Sequence, residues 1–165
     1  MKTRKLGSQG LVVSEIGLGC MGMHHGYGQS LDGEEITRLI QRAMDLGCNF
    51  FDTAPIYGYE NEEFLGAALK NSKEKVFIAT KFGVTGMDIV DGKIFQTFDS
   101  SPESIREQLE GSLTRLKVDC IDLYYQHYTD PKVEPEIVAG VMKELISEGK
   151  IKHWGISNAT TEYIR

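Results

Sequence analysis

"IGLGCMGMHHGYG", residues 16–28, is the stretch on which the fold turns. It contains Gly17-Leu18-Gly19-Cys20-Met21-Gly22, a G-x-G-x-x-G in the spacing that dinucleotide-binding loops use around a pyrophosphate. That reading makes two demands: a helix opening at the third glycine, and an acidic residue ending the second strand about 20 residues on. Neither is met. Gly22 is followed by Met23-His24-His25-Gly26-Tyr27-Gly28-Gln29-Ser30, which carries no helix start, and the first helical pattern begins near Asp32–Glu35. Asp52 does end the second apolar run, but it stands well beyond the required distance and leads into Thr53-Ala54-Pro55. That is a loop, where a ribose reader would need open space. The glycines read instead as a strand end and a loop that approach something closely.

Outward from this stretch, short apolar runs alternate with helical patterns. The runs are Ile16–Gly19, Asn49–Asp52, Val76–Lys81, Ile121–Gln126 and His153–Ser157, each brief and apolar as buried parallel strands are. The first helical pattern places Ile36, Leu39, Ile40 and Ala43 on one face and stops near Gly47. The second, from Asn61 to about Asn71, groups Phe64, Leu65, Ala68 and Leu69. The third opens with a serine cap and an early proline, Ser100-Ser101-Pro102-Glu103, and carries Ile105, Leu109, Leu113 and Leu116. The fourth runs from Glu134 to Glu148, with Ile137, Val138, Val141, Leu145 and Ile146, and stops at Gly149. Such alternation predicts right-handed βαβ units and a parallel sheet in one domain over residues 1–165. Ahead of it, residues 2–6 and 11–14 flank Gly7-Ser8-Gln9-Gly10 and predict a hairpin. The long connection Phe82–Asp99 reads either as a lid or binding loop, or as an insertion with a small hairpin at "IVDGKIF".

Bulk properties narrow the function classes. The chain has 165 residues, 41% hydrophobic and 25% charged, with a formal charge of −6 and a pI near 5.2. Lys and Arg are scattered among Asp and Glu without a basic stripe, which argues against nucleic acid and anionic membrane as partners. Cys20, Cys48 and Cys120 are odd in number and far apart, so a disulfide framework is not expected and a reducing cytosol is the natural setting. No apolar run reaches the length of a signal peptide core or a membrane span, so the protein is expected in the cytoplasm.

Parallel α/β folds place their sites at the C-terminal ends of the strands. There the second run offers Asp52, with Tyr57 in the following loop; the third ends on Lys81; the fourth on Gln126 and His127; the fifth on Ser157 and Asn158. Taken singly, each has an ordinary reading as a cap, a rim aromatic or a solvated charge. Together they do not, because Lys81 beside apolar "VFIAT" needs an anionic partner and Asp52 is the neighbouring strand's offering. An ammonium near a phenol favours the phenolate, which would make Tyr57 a general acid. Asp52 would keep Lys81 charged and oriented, and His127 would hydrogen-bond a substrate oxygen. This set suits protonation of a carbonyl oxygen while the carbon is attacked. Tyr128, next to His127, is a candidate substrate contact, and Trp154 reads as barrel packing. His24 and His25 are adjacent, with no third ligand at metal-like spacing, and read as loop rim; no metal is expected.

"GLGCMGM", "NFFDTAPIYG", "IATKFG", "DLYYQH" and "GISN", in this order and spacing, resemble the aldo-keto reductases, in the manner of the open-chain bacterial and plant reductases. The resemblance implies an α/β TIM-type (β/α)₈ barrel preceded by an N-terminal hairpin. It also implies NADPH across the C-terminal face and reversible reduction of small aldehydes or ketones by hydride transfer. Carried over by position, the catalytic tetrad falls on Asp52, Tyr57, Lys81 and His127. The nicotinamide carboxamide contacts fall on Ser157 and Asn158, Gly19, Cys20 and Met21 lie beside the ring, and Asp52 is counted with the cofactor-binding residues as well as in the tetrad.

The prototype barrel has eight strands and about 250 residues, whereas five strands are counted here. The reading is therefore of a C-terminally incomplete barrel with the hairpin and about five of eight βα units, whose open edges call for self-association. Two further readings stay open. One is a nucleotide-binding regulatory subunit with negligible turnover, as in the potassium-channel β subunits that resemble this family. The other is a catalytically silent half-barrel. A metal-dependent hydrolase on the same barrel lacks the ligand cluster it would need.

Overall fold

The computed structural model describes residues 1–23, 30–70 and 76–165. Strands β1 (Thr3–Leu6) and β2 (Leu11–Ser14) pair antiparallel as the expected hairpin. The main sheet, among the described residues, begins with β3 (Leu18–Gly19), β4 (Phe50–Asp52) and β5 (Phe77–Phe82). After the antiparallel pair β6 (Val84–Val90) and β7 (Lys93–Phe98), it continues with β8 (Ile121–Gln126) and β9 (Ile151–Ile156). The sheet order is β3-β4-β5-β8-β9, every pair parallel.

This order separates the two fold readings. A doubly wound dinucleotide fold reverses its strand order midway and carries helices on both faces. Here spatial order follows chain order, and the helices share one face: α1 (Gly33–Asp45), α2 (Tyr59–Leu69), α3 (Pro102–Leu116) and α4 (Pro135–Ser147). Ile36, Ile40, Leu65, Leu109, Val138 and Leu145 from these helices form one core with Phe51, Ile78, Phe82 and Tyr124 of the strands. That is the winding of a (β/α)₈ barrel. On the other face Phe77, Ala79 and Leu123 pack against Leu11 and Val13, so the hairpin closes the bottom of the concave side. A short α5 (Thr161–Ile164) follows β9.

Local chemistry sets the helix ends. Asp32 accepts from the Glu35 N–H at 2.8 Å while the Glu35 carboxylate accepts from the Asp32 N–H at 3.0 Å, a reciprocal box opening α1. Ser101 caps α3 by accepting from the Ser104 N–H, with Pro102 in the first turn. Helices α2 and α3 cross at Gly66, where a Cβ would lie 2.4 Å from the Leu116 carbonyl oxygen.

Several boundaries and faces differ from expectation. Strand β3 keeps only Leu18 and Gly19 of the expected run, and β9 starts at Ile151 because Ile151 pairs with Ile121. Helix α2 starts two residues early, since a 3₁₀ turn over Pro55–Tyr57 leads into it through Gly58. Its expected end near Asn71 lies outside the described residues. Leu39, Ile137 and Ile146 belong to the apolar helical patterns but are exposed, because the stripes that meet the sheet are narrower than those patterns. The 82–99 connection is a hairpin longer than "IVDGKIF", turning at Asp91-Gly92 with positive φ at both, as two-residue hairpin turns of the I′ kind require. Among the described residues, no helix is long and apolar enough to cross a membrane.

Candidate active site

Side chains alternate along a strand, so the two cores fix which residues share a face. Phe50 and Asp52 of β4, Ala79 and Lys81 of β5, and Leu123 and Tyr125 of β8 look onto the hairpin side. Their neighbours Phe51, Ile78, Thr80, Phe82 and Tyr124 look onto the helices.

Lys81 is 7% exposed, and its ammonium donates to Asp52 Oδ1 at 2.5 Å and to the Thr53 carbonyl at 2.8 Å. The anionic partner demanded by the apolar strand is therefore the one the sequence pointed to. Such a pair is costly to desolvate and costlier to break, because removing one member strands the other charge. Lys81 Nζ lies 5.1 Å from the centroid of the Tyr57 ring, within cation–π range. The 3₁₀ turn after β4 is what brings Tyr57 back over the strand ends. The His127 ring meets the Tyr57 ring edge-on, with centroids 5.9 Å apart. His127 is anchored through its main-chain N–H to the Phe82 carbonyl at 2.9 Å. Burial, and secondarily the Lys81 charge, push its imidazole down to about 4, so it is neutral at pH 7.

The end of β9 is tied to the same rim. The Ser157 N–H donates to the Gln126 carbonyl at 2.9 Å. Asn158, in the left-handed region at φ 54°, donates from Nδ2 to the His127 carbonyl and to Ser157 Oγ, both at 3.0 Å. Gly19 pairs with Asp52 across the β3–β4 ladder, and nothing lies within 4 Å of where its Cβ would be. Met21 is half-buried in the 3₁₀ turn Met21–Met23.

Cys20 lies behind this rim. Its side chain is buried in the helix-side core, its N–H donates to the Asp52 carbonyl, and its carbonyl accepts from Asn61. Burial, then the Asp52 charge, raise the thiol to about 12, leaving it protonated and unreactive. Cys20 thus anchors the loop from behind the rim.

Tyr128 stacks between His127 at 5.3 Å and Phe98 of β7 at 5.6 Å, extending a file of rings from Tyr57 to the hairpin. Trp154 packs on the helix-side core as expected. His24 and His25 lie outside the described residues, and among those described no three His, Cys, Asp or Glu form a metal-holding group.

Sequence reasoning missed a polar layer behind the site. Asn61 and Glu62, in the first turn of α2, are 1% and 0% exposed. Asn61 accepts from Thr53 Oγ1 at 2.7 Å, and Glu62 accepts from Thr80 Oγ1 and Arg115 Nε, each at 2.6 Å. The available signal was a threonine beside each site residue, in Asp52-Thr53 and Thr80-Lys81, facing the helix layer.

Comparison with known proteins agrees with this geometry. The model of the aldo/keto reductase family matches residues 15–165. A probable aldo-keto reductase of Glycine max is 44% identical over 163 residues, covering 98% of this chain and 46% of that protein. Among solved structures, an aldo-keto reductase from Bacillus halodurans in its holo form superposes with a TM-score of 0.83 at 36% identity. It covers 99% of this chain and 52% of its own. A glycerol dehydrogenase from Gluconobacter oxydans gives 0.81 at 33% identity, covering 98% and 50%. The chain spans about half the length of these relatives.

Proposed function

This chain belongs to the aldo/keto reductase family, and we propose that its chemistry is the NADPH-dependent reduction of a small aldehyde or ketone to an alcohol, with Tyr57 as proton donor. The observation that supports this most is the convergence on one rim of a buried Lys81–Asp52 pair, the Tyr57 ring 5.1 Å from that ammonium, and His127 edge-on to Tyr57.

A reduced nicotinamide, when bound, supplies the hydride for the carbonyl carbon. Gly19, Met21, Ser157 and Asn158 are the residues that would hold its ring and carboxamide. The proton chemistry belongs to the chain. Tyr57 gives its hydroxyl proton to the carbonyl oxygen, and the nearby Lys81 ammonium stabilises the phenolate left behind. Asp52 and the Thr53 carbonyl hold that ammonium in place. His127, neutral down to about pH 4, offers a ring N–H to the same substrate oxygen and orients it without protonating it. Tyr128 is the proposed contact for the non-reacting part of the substrate.

Fluorescence titration with NADPH and NADH in parallel, followed by turnover with a reactive aromatic aldehyde, tests the reading. Binding that favours NADPH, with loss of reduced-nicotinamide absorbance on adding the aldehyde, is the expected result. A folded chain that binds neither nucleotide and turns over nothing refutes it. Nucleotide binding without turnover points to the regulatory reading instead.

A further inference from the structure

We propose that the first turn of α2 is a clamp that sets the Asp52–Lys81 spacing, with Asn61 and Glu62 as positioning residues acting through Thr53 and Thr80. The proposal rests on the reading of Asp52 and Lys81 as site residues. Asp52 and Lys81 face the hairpin side of the sheet, and their chain neighbours Thr53 and Thr80 face the helices. Each of those threonine hydroxyls is gripped by one of two consecutive residues of α2: Thr53 by Asn61 at 2.7 Å, Thr80 by Glu62 at 2.6 Å. Threonine is branched at Cβ and stiff at χ1, so holding its hydroxyl holds the backbone of the strand end. The same pair reaches a third strand end, because Asn61 Nδ2 donates to the Cys20 carbonyl at 2.8 Å just past β3.

Packing alone does not call for a carboxylate where nothing is exposed. An apolar side chain of similar size would bury without the desolvation cost. What Glu62 adds is two directed bonds, one to the residue before Lys81 and one to Arg115. Arg115 prevents the carboxylate from swinging, since its guanidinium also lies 4.4 Å from the ring of Tyr59, two residues after Tyr57. The tether to α2 and α3 thus passes around the back of the sheet and returns at the Lys81–Asp52 contact.

The test uses isosteric losses of each hydroxyl, Thr80→Val and Thr53→Val, in the full chain. The primary readout is the Lys81 ammonium by ¹⁵N NMR, whose protons exchange slowly only when held in buried hydrogen bonds. The second is kcat and KM with NADPH and an aromatic aldehyde. In Thr80→Val with native circular dichroism and a cooperative melt, Lys81 exchange accelerates about tenfold or more, and kcat falls about tenfold with KM within about twofold. Thr80→Ser restores both. A folded Thr80→Val with wild-type exchange and kcat overturns the proposal, as does a wild-type Lys81 that exchanges like an exposed lysine. If Thr80→Val does not fold, Thr53→Val decides by the same readouts. Failure of both to fold shows a purely structural role and overturns it too. A wild-type chain without turnover defeats the proposed function alone, because the exchange readout still reports on the clamp.

Discussion

Acidification should destabilise this chain through His127, and the size of the effect can be bounded. The native imidazole takes its proton only near pH 4, because charging it would place a cation in a half-buried position facing Lys81. In the unfolded chain it titrates near the ordinary 6.5. Between these values the unfolded state holds more protons, so stability falls as pH drops through that window and is fully present above it. At about 1.4 kcal/mol per pH unit the separation is worth at most about 3.5 kcal/mol. Solvent reaching the partly exposed ring reduces this to about 1–2 kcal/mol. Urea unfolding of wild type and His127→Gln near pH 7 and again near pH ~4.5 isolates the contribution, because the amide does not titrate. Wild type should lose about 1–2 kcal/mol more than the variant between the two conditions. Equal losses, or an imidazole titrating near the ordinary value by NMR, would refute the buried neutral histidine and with it the orienting role.

Other consequences follow from the same contacts. Asp52→Asn leaves the Lys81 ammonium buried with weakened compensation, and should cost about 2–4 kcal/mol in chemical denaturation. Arg115→Met strands the fully buried Glu62 carboxylate, and a loss of about 3–5 kcal/mol is expected by the same measurement. Gly66→Ala drives a methyl into the backbone of Leu116 where α2 crosses α3, so a lowered melting temperature corresponding to about 1–3 kcal/mol is expected, with neither helix able to yield locally.

The fold was legible where local patterns and global topology agree. Each parallel strand is a short apolar run, the caps at Asp32 and Ser101 are written in side chains, and the mismatch after Gly22 excludes the dinucleotide fold. Asp52, Lys81, His127, Ser157 and Asn158 were legible because a polar residue ending an apolar run lands on the strand-end rim. Tyr57 was legible as the phenol in the loop after Asp52, but the 3₁₀ turn that returns it to that rim was not. The burial of the Cys20 side chain was not legible, because two residues of strand leave its facing undetermined and the Asn61 hydrogen bond is a long-range contact. The Asn61–Glu62 layer was invisible for a related reason: "NEE" at a helix start looks like a solvated first turn unless the strand ends beneath it are known. Leu39, Ile137 and Ile146 show the converse, apolar residues at helical spacing that fall just outside the buried stripe.

Single-turnover kinetics on wild type and Tyr57→Phe decide whether Tyr57 delivers the proton. With NADPH prebound and an aromatic aldehyde added, the variant should oxidise NADPH about 10²–10⁴-fold more slowly while binding it with unchanged affinity. A folded Tyr57→Phe that reduces the aldehyde at the wild-type rate would contradict it.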